Sequence, residues 1–259
     1  MPTEDRGRTP ADETSLASWL DHVVSVPVVG LQRQQDFLTG HEQLTALREI
    51  FPSWGSIALS SGSPGSLTVE RADGFTHELT PDNLITKFNY RVQLDQGPRN
   101  ASPGLAFQSS IEATPYRRLL ASAVDATIAI ASVLANVRHL SIQRIGIVAS
   151  ARMHADALPP GATALRVFLG TPWSPNNCRH IQARILADIR HAERWIDRCH
   201  HQIDVNDDSL DDSTIALDWQ RLFASPQPFH HTRTASQVTQ CARDALAYFQ
   251  TFATRSFPE

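Results

Sequence analysis

Apolar side chains recur along this chain with two different periods, and each change of period predicts a change of element. At steps of three and four, Leu44, Leu47 and Ile50 mark a helix over 40–51 that Pro52 closes. A longer stripe, Leu119, Leu120, Val124, Ile128, Ala131 and Leu134, predicts a helix over 115–136 that opens on Pro115. Val238, Cys241, Ala245, Tyr248 and Phe252 share one face of a closing helix over 237–252, and 16–24 reads as a short helix. At steps of two, Phe88, Tyr90 and Val92 alternate with Asn89, Arg91 and Gln93, which predicts a half-buried strand over 84–94. Strands at 56–59, 67–70 and 75–79 are separated by the turn-forming run 60–65 and by Asp73-Gly74. Two more follow at 106–112 and 140–149, the latter apolar at Ile142, Ile145, Ile147 and Val148.

The stretch 179–205 fits both periods. Ile181, Ile185, Ile189, Ala192, Ile196, Cys199 and Ile203 step by three or four, whereas Trp195, Cys199, His201, Ile203 and Val205 step by twos. The reading favours helix for its first half and strand for 202–205. An acidic loop over 204–212, a short helix over 216–223 and a proline-containing loop over 225–232 complete the chain. Strands then helix, followed by strands then helix, predicts an α+β fold: mostly antiparallel sheet, in one piece or more, packed by long helices. Residues 1–14 read as a disordered tail and 15–259 as a single domain, with two similar halves meeting near 137–160 as the alternative. No sequence repeat accompanies that order.

Composition narrows the class. The chain has 259 residues, 41% of them hydrophobic, which is enough for a sizeable core and excludes disordered and fibrous classes. A net charge of −4 gives no global basic field to draw the protein to nucleic acid or anionic lipid. Lys87 is the single lysine against 22 arginines, the imprint expected of a GC-rich bacterial genome. The start lacks the basic segment and apolar run of a signal peptide, and three cysteines cannot make a disulfide framework; a cytoplasmic, reduced protein is expected. The most apolar stretch, 119–137, carries Asp125 near its middle, which argues for a buried helix and against a membrane span.

Candidate chemistry is sparse. Cys178, His180, His191, Cys199, His200 and His201 cluster in sequence but lack the close pairs of structural zinc sites, so neither metal nor cofactor is expected. The acidic run from Asp204 has Ser209 and Ile215 where a calcium loop needs Gly and Glu. No nucleophile elbow, phosphate loop or dinucleotide fingerprint occurs. Arg190, Arg194 and Arg198 stand four apart and would form one basic ridge on a helix, able to hold phosphate or carboxylate; Asp188, Glu193 and Asp197 would compete for them.

Several short segments resemble, in order, a sporadically distributed family of uncharacterised bacterial proteins. They are Pro27-Val-Val-Gly30, Phe51-Pro52, the strand with Phe88 and Tyr90, Ile142-Gln-Arg-Ile-Gly-Ile147, Ile203-Asp-Val205 and the aromatic segment from Tyr248 to Thr254. After Gly146 the family's Arg-Tyr-Ile-Asn is replaced by Ile147-Val-Ala-Ser150. The resemblance implies an α+β fold and no catalytic residues; its patchy distribution fits a mobile or defence-associated gene cluster. The expectation is a non-enzymatic, protein-binding or regulatory component whose partner is another protein. Two alternatives stand beside it: a metal-assisted or acid/base enzyme using His191, His200 or His201, and an anion or nucleotide sensor using Arg190, Arg194 and Arg198.

Overall fold

A computed structural model describes residues 26–35, 38–62, 65–89, 114–153, 180–191, 194–206 and 213–254. The predicted helix at 16–24, the strand at 106–112, the tail at 1–14, and Tyr90 and Val92 lie outside them.

Among the described residues, nine antiparallel strands form one sheet, and three helices pack on it. The strands are β1 (Val26–Gln35), β2 (Ile57–Ser60), β3 (Leu67–Arg71), β4 (Phe75–Leu79), β5 (Asn83–Phe88), β6 (Leu140–Met153), β7 (His180–His191), β8 (Trp195–Asn206) and β9 (Ser213–Pro228). The helices are α1 (Gly40–Leu47), α2 (Tyr116–Val137) and α3 (His231–Thr254); a 3-10 turn, Phe51–Trp54, follows α1. Thr39 and Glu42 close the start of α1 reciprocally, each side chain accepting from the other's backbone N–H. Pro52 does not simply stop that helix, as the sequence suggested, but starts the 3-10 turn.

The spatial order β2-β3-β4-β5-β1-β6-β9-β8-β7 repeats one plan twice. Each half opens with a strand, adds a meander whose last strand returns beside the first, and closes with a long helix. The two opening strands, β1 and β6, pair antiparallel at the middle of the sheet with Gly30 opposite Gly146. Side chains alternate across the sheet, so the strands away from its two edges bury one face and leave the other open. Val29 and Leu31 of β1, Leu84 of β5, Ile145 and Ile147 of β6, and Leu217 and Trp219 of β9 lie on the buried face. There α2 covers β1 and β5, α3 covers β6 and β9, and the two helices touch.

The helix α2 is long and apolar enough to cross a membrane, yet more than half of that stretch is buried within the protein. Its Leu120, Val124, Ile128, Ala131 and Leu134 are buried, and Thr127 meets Thr86 of β5. It is the core helix of a globular α+β domain.

Two elements differ from the sequence reading. The helix favoured for the first half of 179–205 is the strand hairpin β7–β8, with Asp188 opposite Arg198. Steps of four are even, so Ile185 and Ile189 share one face of a strand as readily as one face of a helix. The predicted helix at 216–223 is strand β9, which runs on through the first half of the predicted loop at 225–232. Leu217, Trp219 and Arg221 alternate with Asp218 and Gln220; a charged residue on the buried face masked the period of two. Pro226 is tolerated because the register with β6 jumps from Arg144 opposite Leu222 to Ile142 opposite Gln227, so it falls among residues from which β6 takes no bond.

Ile128 is 4% exposed in the centre of α2. An Ile128→Asp substitution is expected to cost about 4 kcal/mol by burying an unpaired charge. Urea unfolding measures it; an unchanged midpoint would remove α2 from the core.

Candidate functional site

The open face of the sheet carries a hollow at the junction of the halves. Around it the side chains form three rows across β5, β1, β6 and β9, set by the pairing registers. One row is Asn83, Gln32, Arg144 and Leu222; the opposite row is Lys87, Val28, Val148 and Asp218. The middle row reads Ile85, Gly30, Gly146, Gln220, so its two central positions carry no side chain. The cavity above them measures about 120 Å³.

Neither glycine is demanded by backbone strain. A Cβ built on Gly30 would meet nothing nearer than the Gly146 carbonyl oxygen at 3.9 Å, and one on Gly146 nothing nearer than the Gly30 oxygen at 3.9 Å. Glycine in a strand interior costs stability and otherwise marks a close approach. What glycine provides here is the hollow itself. Along its β9 side runs a polar chain: Arg144 Nη1 donates to Gln220 Oε1 at 2.9 Å, and Gln220 Nε2 donates to Asp218 Oδ2 at 2.7 Å. The chain orients the Gln220 amide, leaves further guanidinium N–H groups at one end and carboxylate lone pairs at the other, and faces apolar surface from Ile85, Val28 and Val148.

The residues singled out from sequence fall elsewhere. Arg190 is exposed on β7, Arg194 lies in the turn after it, and Arg198 is on β8. They form no helical ridge. Arg198 instead pairs bidentately with Asp188 across the hairpin at 2.9 and 3.1 Å, which holds the Asp188 carboxyl below its usual range and raises the guanidinium. Of the three histidines, His200 is exposed on the open face while His191 and His201 face the helices. His191 Nε2 lies 2.9 Å from Asp197 Oδ2, and His201 is buried against the Tyr248 ring, 5.1 Å between centroids. Among the described residues no three His, Cys, Asp or Glu side chains gather as a metal would require.

Asp197, 0% exposed, is the centre of a second polar cluster. Arg221 grips both of its oxygens at 2.8 Å, reaches Asp244 of α3 at 2.7 Å, and lies over the Trp195 ring. Burial opposes the charge on Arg221, but hydrogen bonds to Asp197 and Asp244 outweigh it and raise its pKa. Cys241 and Cys199 are nearby, and burial pushes both thiols up to about 12, so neither supplies a thiolate near neutrality. Arg221 bridges Asp197 of β8 and Asp244 of α3, so the cluster ties α3 to the sheet, and His191 shares the Asp197 Oδ2 atom with Arg221.

The local two-fold at Gly30 and Gly146 exchanges Val29 with Ile145. Thr86 lies opposite Val29 and His77 opposite Thr86; Arg221 lies opposite Ile145 and Asp197 opposite Arg221. Equivalent positions therefore hold a neutral chain in one half, His77 to Thr86 at 3.1 Å and Thr127 of α2 to Thr86 at 2.8 Å, and a charged one in the other. In each half a buried polar chain joins two strands to the long helix.

No family model matches the chain, and no curated protein matches it, so the resemblance drawn from short strand motifs gains no support. Among solved structures, the rolling circle replication initiator protein of Geobacillus stearothermophilus aligns over 85% of this chain and 78% of its own, at 7% identity and a TM-score of 0.26. A likeness that weak carries no argument about fold or function.

Sequence reasoning missed the hollow. The available signal was Val29-Gly30-Leu31 and Ile145-Gly146-Ile147, isolated glycines inside strand patterns. Their partners Gln220 and Asp218 were hidden in the segment read as helix.

Two outcomes follow. Arg221→Met should destabilise by about 3–5 kcal/mol, because it strands a buried carboxylate, and adding Asp197→Leu should restore most of the loss; equal losses in the single and double variants would contradict the pairing. Burial lowers both His77 and His201 to about 4. The unfolded chain, with ordinary histidine pKa values near 6.5, binds protons first. Stability is therefore full above about pH 6.5 and falls toward pH 4, by about 3 kcal/mol for each histidine. Denaturant titrations across that window measure the slope, and His201→Phe should remove about half of it.

Proposed function

We propose that this protein is a non-enzymatic binding component that receives another protein on the open face of its sheet, with one side chain of the partner anchored in the hollow over Gly30 and Gly146. The hollow is the observation that carries the reading. Sites for cofactors and small metabolites run to roughly 300–1,000 Å³. At about 120 Å³ this one suits a single side chain. Its apolar wall and its Arg144–Gln220–Asp218 chain match the buried anchor and polar surround of protein interfaces. The charge pattern supports a protein partner over nucleic acid. Among the described residues of the open face, Lys87 pairs with Glu78, Arg198 with Asp188, and Arg144 is linked to Asp218 through Gln220, so these cations do not form a basic stripe for a phosphate backbone; Arg184 and Arg190 stand apart at the β7 edge. The buried, free Cys199 and Cys241 suit a cytoplasmic, reducing setting.

The test fills the hollow. Gly146→Val adds a β-branched side chain to a strand with no close backbone neighbour, so the melting temperature should hold or rise by a few degrees. A partner identified by capture and mass spectrometry, then titrated by calorimetry, should bind this variant at least about tenfold more weakly than the wild type. Equal affinities would place the interface elsewhere and refute the reading.

A further inference from the structure

The two edges of the sheet differ. Strand β2 is four residues long, and shortness alone protects it from pairing with other chains. Strand β7 is twelve residues long and, among the described residues, has a strand neighbour on one side only. It carries neither proline nor lysine, and its charges, Arg184, Asp188 and Arg190, are of both signs. Leu186 is 62% exposed on its open face, more than any other large hydrophobic among the described residues, and Ile185 is 38% exposed on the other.

We propose that β7 pairs antiparallel with β7 of a second copy, about a two-fold axis at Leu186. Antiparallel partners share a face, so a self-pairing strand must match positions of like parity. Centred on Leu186, the register sets Leu186 against its own copy, Arg184 against Asp188 and Gln182 against Arg190, each twice by symmetry. On the helix side it sets Ile185 against Ala187. Alternating charge would repel a partner strand in most registers; here it is self-complementary. Asp188, which already accepts from Arg198 in its own hairpin, gains a second guanidinium on its remaining lone pairs. The exposed leucines cover each other, and the edge disappears into one continuous sheet of eighteen strands. The open faces then join, with the two hollows about 38 Å apart along the sheet, eight strand spacings. This inference is independent of what the hollow binds.

Sedimentation equilibrium of the full chain, with charge-exchanged variants, tests it. The wild type should be a dimer. Arg184→Asp and Asp188→Arg each set like charges opposite at two places and should weaken the dimer at least about tenfold. The double variant should recover it. A mixture of the two single variants should form a heterodimer, since every pair in it is again unlike, and loss of folding in either variant could not produce that recovery. In a Cys178→Ser background, Leu186→Cys should oxidise to a disulfide-linked dimer, the paired Cα atoms lying about 4.5–5.5 Å apart. A monomeric wild type, or a dimer indifferent to these exchanges, would overturn the proposal.

Discussion

The β1–β6 ladder is the constraint on which the rest depends. Each half of the molecule, built on a strand, a returning meander and a long helix, would alone leave its opening strand as an unpaired edge and its long helix without the other long helix beside it. Pairing β1 with β6 removes both edges at once and brings α2 against α3 over a shared core. Because the ladder is antiparallel and centred on one glycine pair, it also imposes an approximate two-fold relation on everything attached to it. The same pairing that closes the core on one face opens the hollow on the other, since residues that alternate with Val29, Leu31, Ile145 and Ile147 must point away from the helices.

Each half locks its helix to the sheet with a buried polar chain at an equivalent position, and the chemistries differ. Neutral His77, Thr86 and Thr127 lose little on burial provided their hydrogen bonds form. Asp197 and Arg221 are costlier to bury, and their bidentate geometry with Asp244 offsets that cost without a guaranteed surplus. What such a pair adds is selectivity. An α3 shifted by one turn would leave Arg221 without Asp244. The two halves thus share a mechanical plan while tolerating different sequences, which is why no repeat is visible in the chain.

Legibility followed from how unambiguous each period was. The 22-residue stripe of α2 fits a helix and nothing else, and its proline start was in plain view. Strands β3, β4 and β6 were legible because turn residues bounded them. The hairpin β7–β8 was misread because isoleucines four apart satisfy both periods, and only the partner strand, invisible to local pattern, decides between them. Strand β9 was misread because Arg221 sits on the buried face, paired with a carboxylate 24 positions earlier. The hollow was illegible for a related reason. It is made of four strands that only the complete topology brings together, and its two central residues contribute by having no side chain.

Native-state hydrogen exchange tests the central claim that the β1–β6 ladder makes the two halves one cooperative unit. Amides of Val29 to Gln32 and Arg144 to Val148 that bond across the ladder should exchange only through global unfolding, with a single free energy shared by the buried strands of both halves. If the amides of one half open together at a distinctly lower free energy while the other half stays protected, the halves fold separately and the ladder is not what holds the molecule together.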